Sequence, residues 1–144
     1  MADLNRISPQ QASDRIAEGW TYVDVRTVEE FDEGHPPGAI NVPIANASGG
    51  GMVPNPDFLA VMGAAVGKDT KIVVGCKAGG RSLRAAHMLL EAGFAHVEDQ
   101  RAGWDGARNP FGQVTEPGWS KVGLPVEKGQ PAGRSWEDMK KKGR

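Results

Sequence analysis

The apolar run "KIVVGC" (71–76) constrains the fold more than any other stretch of this sequence. It lacks the apolar/polar alternation of a half-exposed strand, which favours a strand buried on both faces, as in the centre of a parallel sheet. The helical pattern "RSLRAAHMLLEAG" (81–93) follows it, with Leu83, Ala86 and Leu90 on one face and Gly93 at the end. Because parallel strands need crossover connections, a strand leading into a helix predicts an α/β fold.

The rest of the chain repeats this alternation, which favours a mostly parallel central sheet with helices on both faces. Two further helices begin at Ser8-Pro9-Gln10-Gln11 and at Thr27-Val28-Glu29-Glu30, both of which read as capping boxes and end at Gly19 and Gly34. A third, capped by Asn55-Pro56, has Phe58, Leu59 and Met62 as its apolar face. The remaining predictions are strands at 20–26 and 94–99, a turn with a short extended piece at 35–44, and a flexible loop, "NASGGG", at 46–51.

Composition narrows the class of protein. The chain has 144 residues, 39% of them hydrophobic and 24% charged, which suits one globular domain. No apolar run is long enough to cross a membrane, and the N-terminal residues do not resemble a signal peptide. A single cysteine cannot form an internal disulfide, so a cytoplasmic setting is expected.

Charge is distributed unevenly along the chain. Residues 1–70 hold 4 basic and 10 acidic side chains, whereas residues 71–144 hold 13 basic and 8 acidic ones. The second half contains the cysteine, which favours a small anionic ligand near it. No basic cluster with interleaved aromatics precedes Lys140-Lys141-Lys142, so nucleic acid is not an expected partner.

The only cysteine, Cys76, stands where the buried strand passes into the loop "CKAGGRS". Two interpretations are open: a small buried core residue, or a nucleophile in an anion-binding loop. Gly79 and Gly80 allow successive N–H groups to converge, and the helix starting near Arg81 adds its positive dipole end. Such a site stabilises a thiolate, so we expect Cys76 to ionise more easily than an ordinary cysteine.

The sequence resembles the single-domain rhodaneses, a family of sulfurtransferases. "CKAGGRS" is similar to their Cys-x-x-Gly-x-Arg loop, and "YVDVRTVEEF" (22–31) with "GHPPGAINVP" (34–43) is similar to their upstream signature. "WSKVGLPV" (119–126) resembles the closing segment of the family. The resemblance implies a rhodanese-like domain over residues 1–126, followed by an extension, 127–144, with a linker and a short helix in which Trp136 packs back on the domain.

The resemblance also implies roles for the residues of the loop. Cys76 would carry sulfur as a persulfide, and the N–H groups of Lys77, Ala78, Gly79 and Gly80 would bind it. Arg81 would shape the anionic site, as an exposed cation that holds the donor.

Upstream of the loop, the resemblance implies support rather than chemistry. Asp24 and Arg26 would support the loop, with a surface ion pair as the equally open alternative. His35 is expected to be a hydrogen-bonding turn residue. The segment 100–118 departs from the family, since Ala102-Gly103 replaces a double glycine, and Trp104 either lines the mouth of the site or lies in the core.

The predicted function is transfer of sulfane sulfur from thiosulfate or a similar small anionic donor to a thiol or cyanide acceptor, without cofactor or metal. One alternative is a non-catalytic partner-binding module, which retention of Cys76, Gly79 and Arg81 disfavours. Another is a phosphatase or arsenate reductase of the same fold. Those enzymes place one residue more between Cys and Arg than the four found here, and Gly75 rather than His precedes Cys76.

Overall fold

A computed structural model describes residues 4–48 and 51–142 of the chain. In chain order the strands are β1 (Asn5–Ile7), β2 (Thr21–Asp24), β3 (Ile40–Asn41), β4 (Ala45–Ser48), β5 (Gly51–Pro54), β6 (Lys71–Gly75), β7 (His96–Gln100), β8 (Gly106–Arg108) and β9 (Val114–Pro117). The α-helices are α1 (Pro9–Ala17), α2 (Val28–Glu33), α3 (Phe58–Ala65), α4 (Gly80–Glu91) and α5 (Trp136–Lys142), and a 3₁₀ helix covers Trp119–Lys121. Among the described residues, no helix is both long and apolar enough to span a membrane.

The centre of the molecule is a five-stranded sheet with the order β1-β7-β6-β2-β3, in which all neighbouring strands are parallel. Ile72 and Val74 pack into a core cluster on one face, with residues of α3, α4 and α5, whereas Val73 packs into a cluster on the other face with residues of α1 and α2. Burial on both faces explains why "KIVVGC" does not alternate. The predicted α/β fold with helices on both faces is confirmed.

Local capping determines where the first two helices begin. The Ser8 hydroxyl accepts the Gln11 N–H at 3.1 Å, and the Gln11 side chain accepts the Ser8 N–H at 2.9 Å. Thr27 and Glu30 make the same reciprocal pair at 3.2 and 3.0 Å. Both predicted capping boxes are therefore confirmed.

Two local predictions were wrong. The segment expected to be a flexible loop forms β4 and the start of β5, which pair as an antiparallel hairpin; its residues 49–50 lie outside the described part of the chain. Leu59, expected on the apolar face of α3, is 39% exposed, while Val61 is buried instead. Phe58, Val61 and Met62 follow the i, i+3, i+4 spacing of one helix face, and Leu59 lies outside that set.

The C-terminal residues contact the rest of the domain. Glu127 and His35 form an isolated antiparallel bridge, and the Asn41 N–H donates to the Arg134 carbonyl oxygen at 2.9 Å. Trp136 of α5 is buried in the larger core cluster, as expected. The division at residue 126 stays a prediction about family boundaries, because the hydrophobic core continues across it.

Candidate active site

Cys76 lies at the carboxyl end of β6, where ligands of parallel α/β sheets bind. Its side chain is only 2% exposed and belongs to the core cluster, so its sulfur forms the floor of the loop that follows. Just before it, Gly75 leaves the space that the Tyr22 ring and hydroxyl fill. Burial raises the pKa of Tyr22, which keeps that neighbour of the thiol uncharged.

Donors from outside the loop hold three of its carbonyl oxygens. The Trp104 N–H donates to Cys76 O at 2.8 Å, and the Asp105 N–H donates to Lys77 O at 2.9 Å. Arg6 Nη2 donates to Gly79 O at 3.1 Å. In a trans peptide the N–H points opposite to the C=O, so the N–H groups of the three following residues face away from these partners.

Those N–H groups belong to Lys77, Ala78 and Gly80, and the described residues offer them no acceptor. The intervening Gly79 N–H donates to Cys76 Sγ at 3.1 Å, so it points toward the sulfur. Free N–H groups that converge beside a helix N-terminus form a site for an anion. We call this arrangement of the 77–80 backbone the anion cradle.

Backbone geometry requires glycine at two positions of the cradle, Gly79 within the loop and Gly103 packed against it. Gly79 has φ +97°, a left-handed conformation that bends the loop into α4. Gly103 has φ +67°, and a Cβ there would lie 2.5 Å from the Lys77 carbonyl carbon. Ala102-Gly103, which replaces the double glycine of the family, therefore keeps the one glycine that the loop packs against.

Ser82 is a site residue for which sequence reasoning gave no role. It is fully buried, and its hydroxyl lies 3.5 Å from Cys76 Sγ and 3.4 Å from Gly79 O. In the structure this hydroxyl accepts from the Cys76 thiol and donates to Gly79 O. Once the sulfur is negatively charged, the hydroxyl can rotate to donate to it, in addition to the Gly79 N–H and the helix dipole. Its position in the first turn of α4, on the side facing the strand end, was the available signal.

Arg81 is not the exposed cation expected from the sequence. It makes two hydrogen bonds to the Glu30 carboxylate, at 2.7 and 3.0 Å, and its side chain is 20% exposed. Burial raises the pKa of Glu30, but hydrogen bonds from Arg81 and Thr27 outweigh it and lower the pKa to about 2. The guanidinium charge is thus paired, because Glu30, in the first turn of α2, lies opposite the loop.

Lys77 supplies the exposed positive charge of the loop instead. Its side chain is 57% exposed, and its ammonium lies 3.7 Å from the Asp105 carboxylate, too far for a close hydrogen bond. It lines a small cavity of about 140 Å³ with Arg26, Glu30, Glu33, Trp104 and Asp105. Trp104 therefore borders the site, which was one of its two predicted positions, the other being the core.

Asp24 and Arg26 form a buried ion pair, 2.7 Å between Nη2 and Oδ2, rather than a surface one. The Arg26 guanidinium also donates to the Gly34 carbonyl oxygen and lies 5.0 Å from the centre of the Trp104 ring. Since Trp104 in turn holds Cys76 O, the pair acts on the loop through this residue. His35, fully buried, bonds Phe31 O at 2.7 Å and Glu127 Oε1 at 3.0 Å, as a turn residue would.

A larger cleft of about 550 Å³ lies on the other side of the loop. The segment 100–118, whose structure the sequence left open, forms its outer wall through the β8–β9 hairpin. The lining residues are Arg6, Ala78, Gly79, Gly80, Leu83, Arg101, Ala107, Arg108, Thr115 and Glu116. Residues 4–48 and 51–142 contain no group of three or more His, Cys, Asp or Glu side chains placed to hold a metal ion.

Comparison with known proteins identifies the family. The sequence model of the rhodanese-like domain family matches residues 8–109, which is more than half of the chain. The chain belongs to the rhodanese-like domain family. It is 42% identical over 131 residues to thiosulfate sulfurtransferase 16, chloroplastic, of Arabidopsis thaliana, covering 88% of this chain and 99% of that protein. Such relatives indicate a sulfurtransferase.

Other relatives are longer or share mainly the fold. The senescence-associated protein DIN1 of Raphanus sativus is 41% identical over 109 residues, 76% of this chain, but the match spans only 53% of that protein. The crystal structure of Rv0390 from M. tuberculosis superimposes with a TM-score of 0.74 at 27% identity, over 89% of this chain and 100% of that one. A rhodanese with anions from E. coli gives a TM-score of 0.51 at 27% identity, over 77% and 100%.

Proposed function

We propose that this rhodanese-like protein transfers sulfane sulfur from thiosulfate, or a similar small anionic donor, to a thiol or cyanide acceptor through a persulfide on Cys76. The observation that carries the proposal is the anion cradle, in which loop N–H groups without a protein acceptor flank the Gly79 N–H that bonds the buried Cys76 thiol. Supporting it are relatives named thiosulfate sulfurtransferase and the solved rhodanese whose description mentions anions.

In the first half-reaction, the Cys76 thiolate attacks the outer sulfur of thiosulfate. A new S–S bond forms, the S–S bond of the donor breaks, and sulfite leaves with the electron pair of that bond. The terminal sulfur of the persulfide then extends about 2 Å beyond Sγ, which places it among the N–H groups of the cradle. The cradle stabilises negative charge on this sulfur in both directions of transfer.

In the second half-reaction, the acceptor attacks the terminal sulfur. A thiolate acceptor becomes a persulfide, or cyanide becomes thiocyanate, and Cys76 leaves as a thiolate. The Gly79 N–H at 3.1 Å and the Ser82 hydroxyl at 3.5 Å from Sγ stabilise that leaving thiolate. No cofactor is needed, because each step exchanges one S–S bond for a bond of sulfur to the acceptor.

Donor recognition is assigned to Lys77 and the loop N–H groups rather than to the Arg81 guanidinium. Arg81 is paired with Glu30, whereas the Lys77 ammonium is exposed at the edge of the cradle. The positive charge of Lys77 therefore favours a dianionic donor over a monoanionic one. The cytoplasmic setting expected from the single cysteine stays a prediction.

The anion cradle also bears on the phosphatase and arsenate reductase alternative. Four residues separate Cys76 from Arg81, so the cradle is narrower than those enzymes use, and Tyr22 occupies the space beside Gly75. One relative, 37% identical over 102 residues, is named protein HIGH ARSENIC CONTENT 1, mitochondrial, of Arabidopsis thaliana. Arsenate therefore belongs in the test as a separate substrate.

Mass spectrometry of the intact protein tests the proposal. Incubation with thiosulfate alone is expected to add the mass of one sulfur atom, and cyanide is expected to remove it and release thiocyanate. The variant Cys76→Ser, the control, is expected to gain no mass because the chain has 1 cysteine. Parallel assays use an aryl phosphate and arsenate; turnover of either one without sulfur uptake would replace the sulfurtransferase by that alternative, and no turnover of any substrate would favour a binding module.

A further inference from the structure

Arg6 on β1 joins the active-site loop to the sheet, although it precedes the residues matched by the family model. Its Nε donates to Asp99 Oδ2 at 2.7 Å, and its Nη2 donates to Gly79 O at 3.1 Å. Arg6 and Asp99 are register partners on neighbouring parallel strands, so the sheet itself places the carboxylate beneath the guanidinium. The fork of one arginine therefore spans from β7 to the cradle.

Asp99 is fully buried and holds Arg6 in place. Its second oxygen, Oδ1, has no hydrogen-bond partner among the described residues. Burial raises the pKa of Asp99, and the hydrogen bond and charge of Arg6 oppose this rise only in part. This buried carboxylate depends on Arg6 as its charged partner, because removing that partner would leave a buried charge unpaired.

The peptide held by Arg6 is flanked by two residues that restrict its orientation less than others would. It joins Gly79 to Gly80, and glycine accepts backbone conformations that other residues avoid. If this peptide rotated, its carbonyl oxygen would replace the Gly80 N–H at the cradle and repel an anion. Gly79 O also accepts from the Leu83 N–H at 3.2 Å and from the Ser82 hydroxyl at 3.4 Å, so the first turn of α4 and Arg6 hold this oxygen together.

We propose that Arg6 is a positioning residue of the anion cradle: held by Asp99, it directs the Gly79–Gly80 peptide so that the Gly80 N–H faces the bound anion. Among the described residues, Arg6 is the side chain from outside the loop and α4 that bonds this peptide. The inference rests on the proposed function only in taking Cys76 as the reactive group. It assigns Arg6 no contact with the donor.

Alkylation of Cys76 measures the cradle without any sulfur transfer. Iodoacetate carries a carboxylate and iodoacetamide does not, so the ratio of their rate constants, relative to the same ratio for free cysteine, reports attraction of an anion to the loop. The variants are Arg6→Gln, which removes both bonds, and Arg6→Lys, which keeps the charge beside Asp99 but lacks the fork needed to span two acceptors.

Both variants are expected to lower the iodoacetate preference about tenfold, the low end of what one hydrogen bond to a charged group contributes. The matched control is Arg15→Gln, which breaks a similar pair, Arg15 Nε to Glu98 Oε1 at 2.7 Å, on the same strand β7. Since Arg15 does not contact the loop, its ratio should stay within about twofold of the wild type, as for a partly exposed surface ion pair.

Four results would overturn the proposal. Two are a wild-type ratio equal to that of free cysteine and an unchanged ratio in both Arg6 variants. The others are an equal loss in Arg15→Gln and a wild-type ratio in Arg6→Lys, which would mean that Arg6 acts by charge alone. If Arg6→Gln fails to fold because Asp99 loses its partner, Arg6→Lys decides. The KM for thiosulfate, measured beside these ratios, should rise in both variants. A wild-type protein that transfers no sulfur would refute the proposed function and leave the alkylation test intact.

Discussion

At the scale of single residues, the site depends on glycines, which have no side chain, as much as on the residues that have one. Gly75 has an ordinary extended conformation in β6, yet a Cβ there would overlap the Tyr22 ring and hydroxyl. Gly103 similarly lets residues 76–77 pack directly on the following segment. These glycines determine how close the neighbouring backbone and ring come to the nucleophile, and therefore how wide the site is.

We predict that Gly75→Ala destabilises the protein by about 1–3 kcal/mol, the usual cost of overpacking a core, because Tyr22 cannot move without disturbing the buried face of β2. The control is Gly63→Ala in α3, where a Cβ meets no atom within 4 Å. It should be neutral or stabilise by about 0.5–1 kcal/mol, since alanine favours helix. Urea unfolding measures both, and equal midpoints for the two variants would contradict the role given to Gly75.

At the scale of elements, α5 is a short helix whose stability depends on packing. It has 7 residues, too few to be stable alone in water. Trp136 and Met139 attach it to the larger core cluster, and the ion pair of Glu127 with Arg134, at 2.7 Å, anchors the preceding segment beside His35. The C-terminal segment thus covers the sheet face on which α3 and α4 also pack.

Trp136→Ala is expected to cost about 3–5 kcal/mol of unfolding free energy, as for other buried tryptophans. The matched control is another aromatic outside the core: Phe111, at the tip of the β8–β9 hairpin, is 88% exposed. Phe111→Ala should change stability by less than about 0.5 kcal/mol. Chemical unfolding of the two variants compares them; a small loss for Trp136→Ala would mean that α5 does not contribute to the core.

At the scale of the whole molecule, two carboxylates join distant parts of the chain. Glu30 connects α2 to Arg81 of the loop. Glu127, paired with Arg134 inside the C-terminal segment, connects that segment to His35. Hydrogen bonds from Arg134 and His35 lower the pKa of Glu127 to about 2 against opposing burial, as those from Arg81 do for Glu30. Both carboxylates are ionised over the whole range in which the protein is expected to work.

These shifts predict acid sensitivity. In the unfolded chain the two glutamates titrate near 4.5, and in the folded protein near 2, so their contribution is complete above about pH 4.5 and lost as the pH falls toward 2. Glu30→Gln and Glu127→Gln should each flatten the decline of the urea midpoint over this range. Asp99, whose pKa burial raises, acts in the opposite direction and is unchanged in both variants. Slopes equal to the wild type would contradict the prediction.

Residues close together in the chain sufficed to predict three features: the caps at Ser8 and Thr27, the buried strand 71–75, and the glycine-bearing loop that turns from this strand into α4. These follow from short-range hydrogen bonds and from the burial pattern of one element. Tertiary structure alone decided the partners of Arg81, Arg6 and Trp136, since each contact joins residues far apart in sequence. A charged residue in a sequence has many possible partners, and which one lies within 3 Å depends on strand order and register, because these place the side chains.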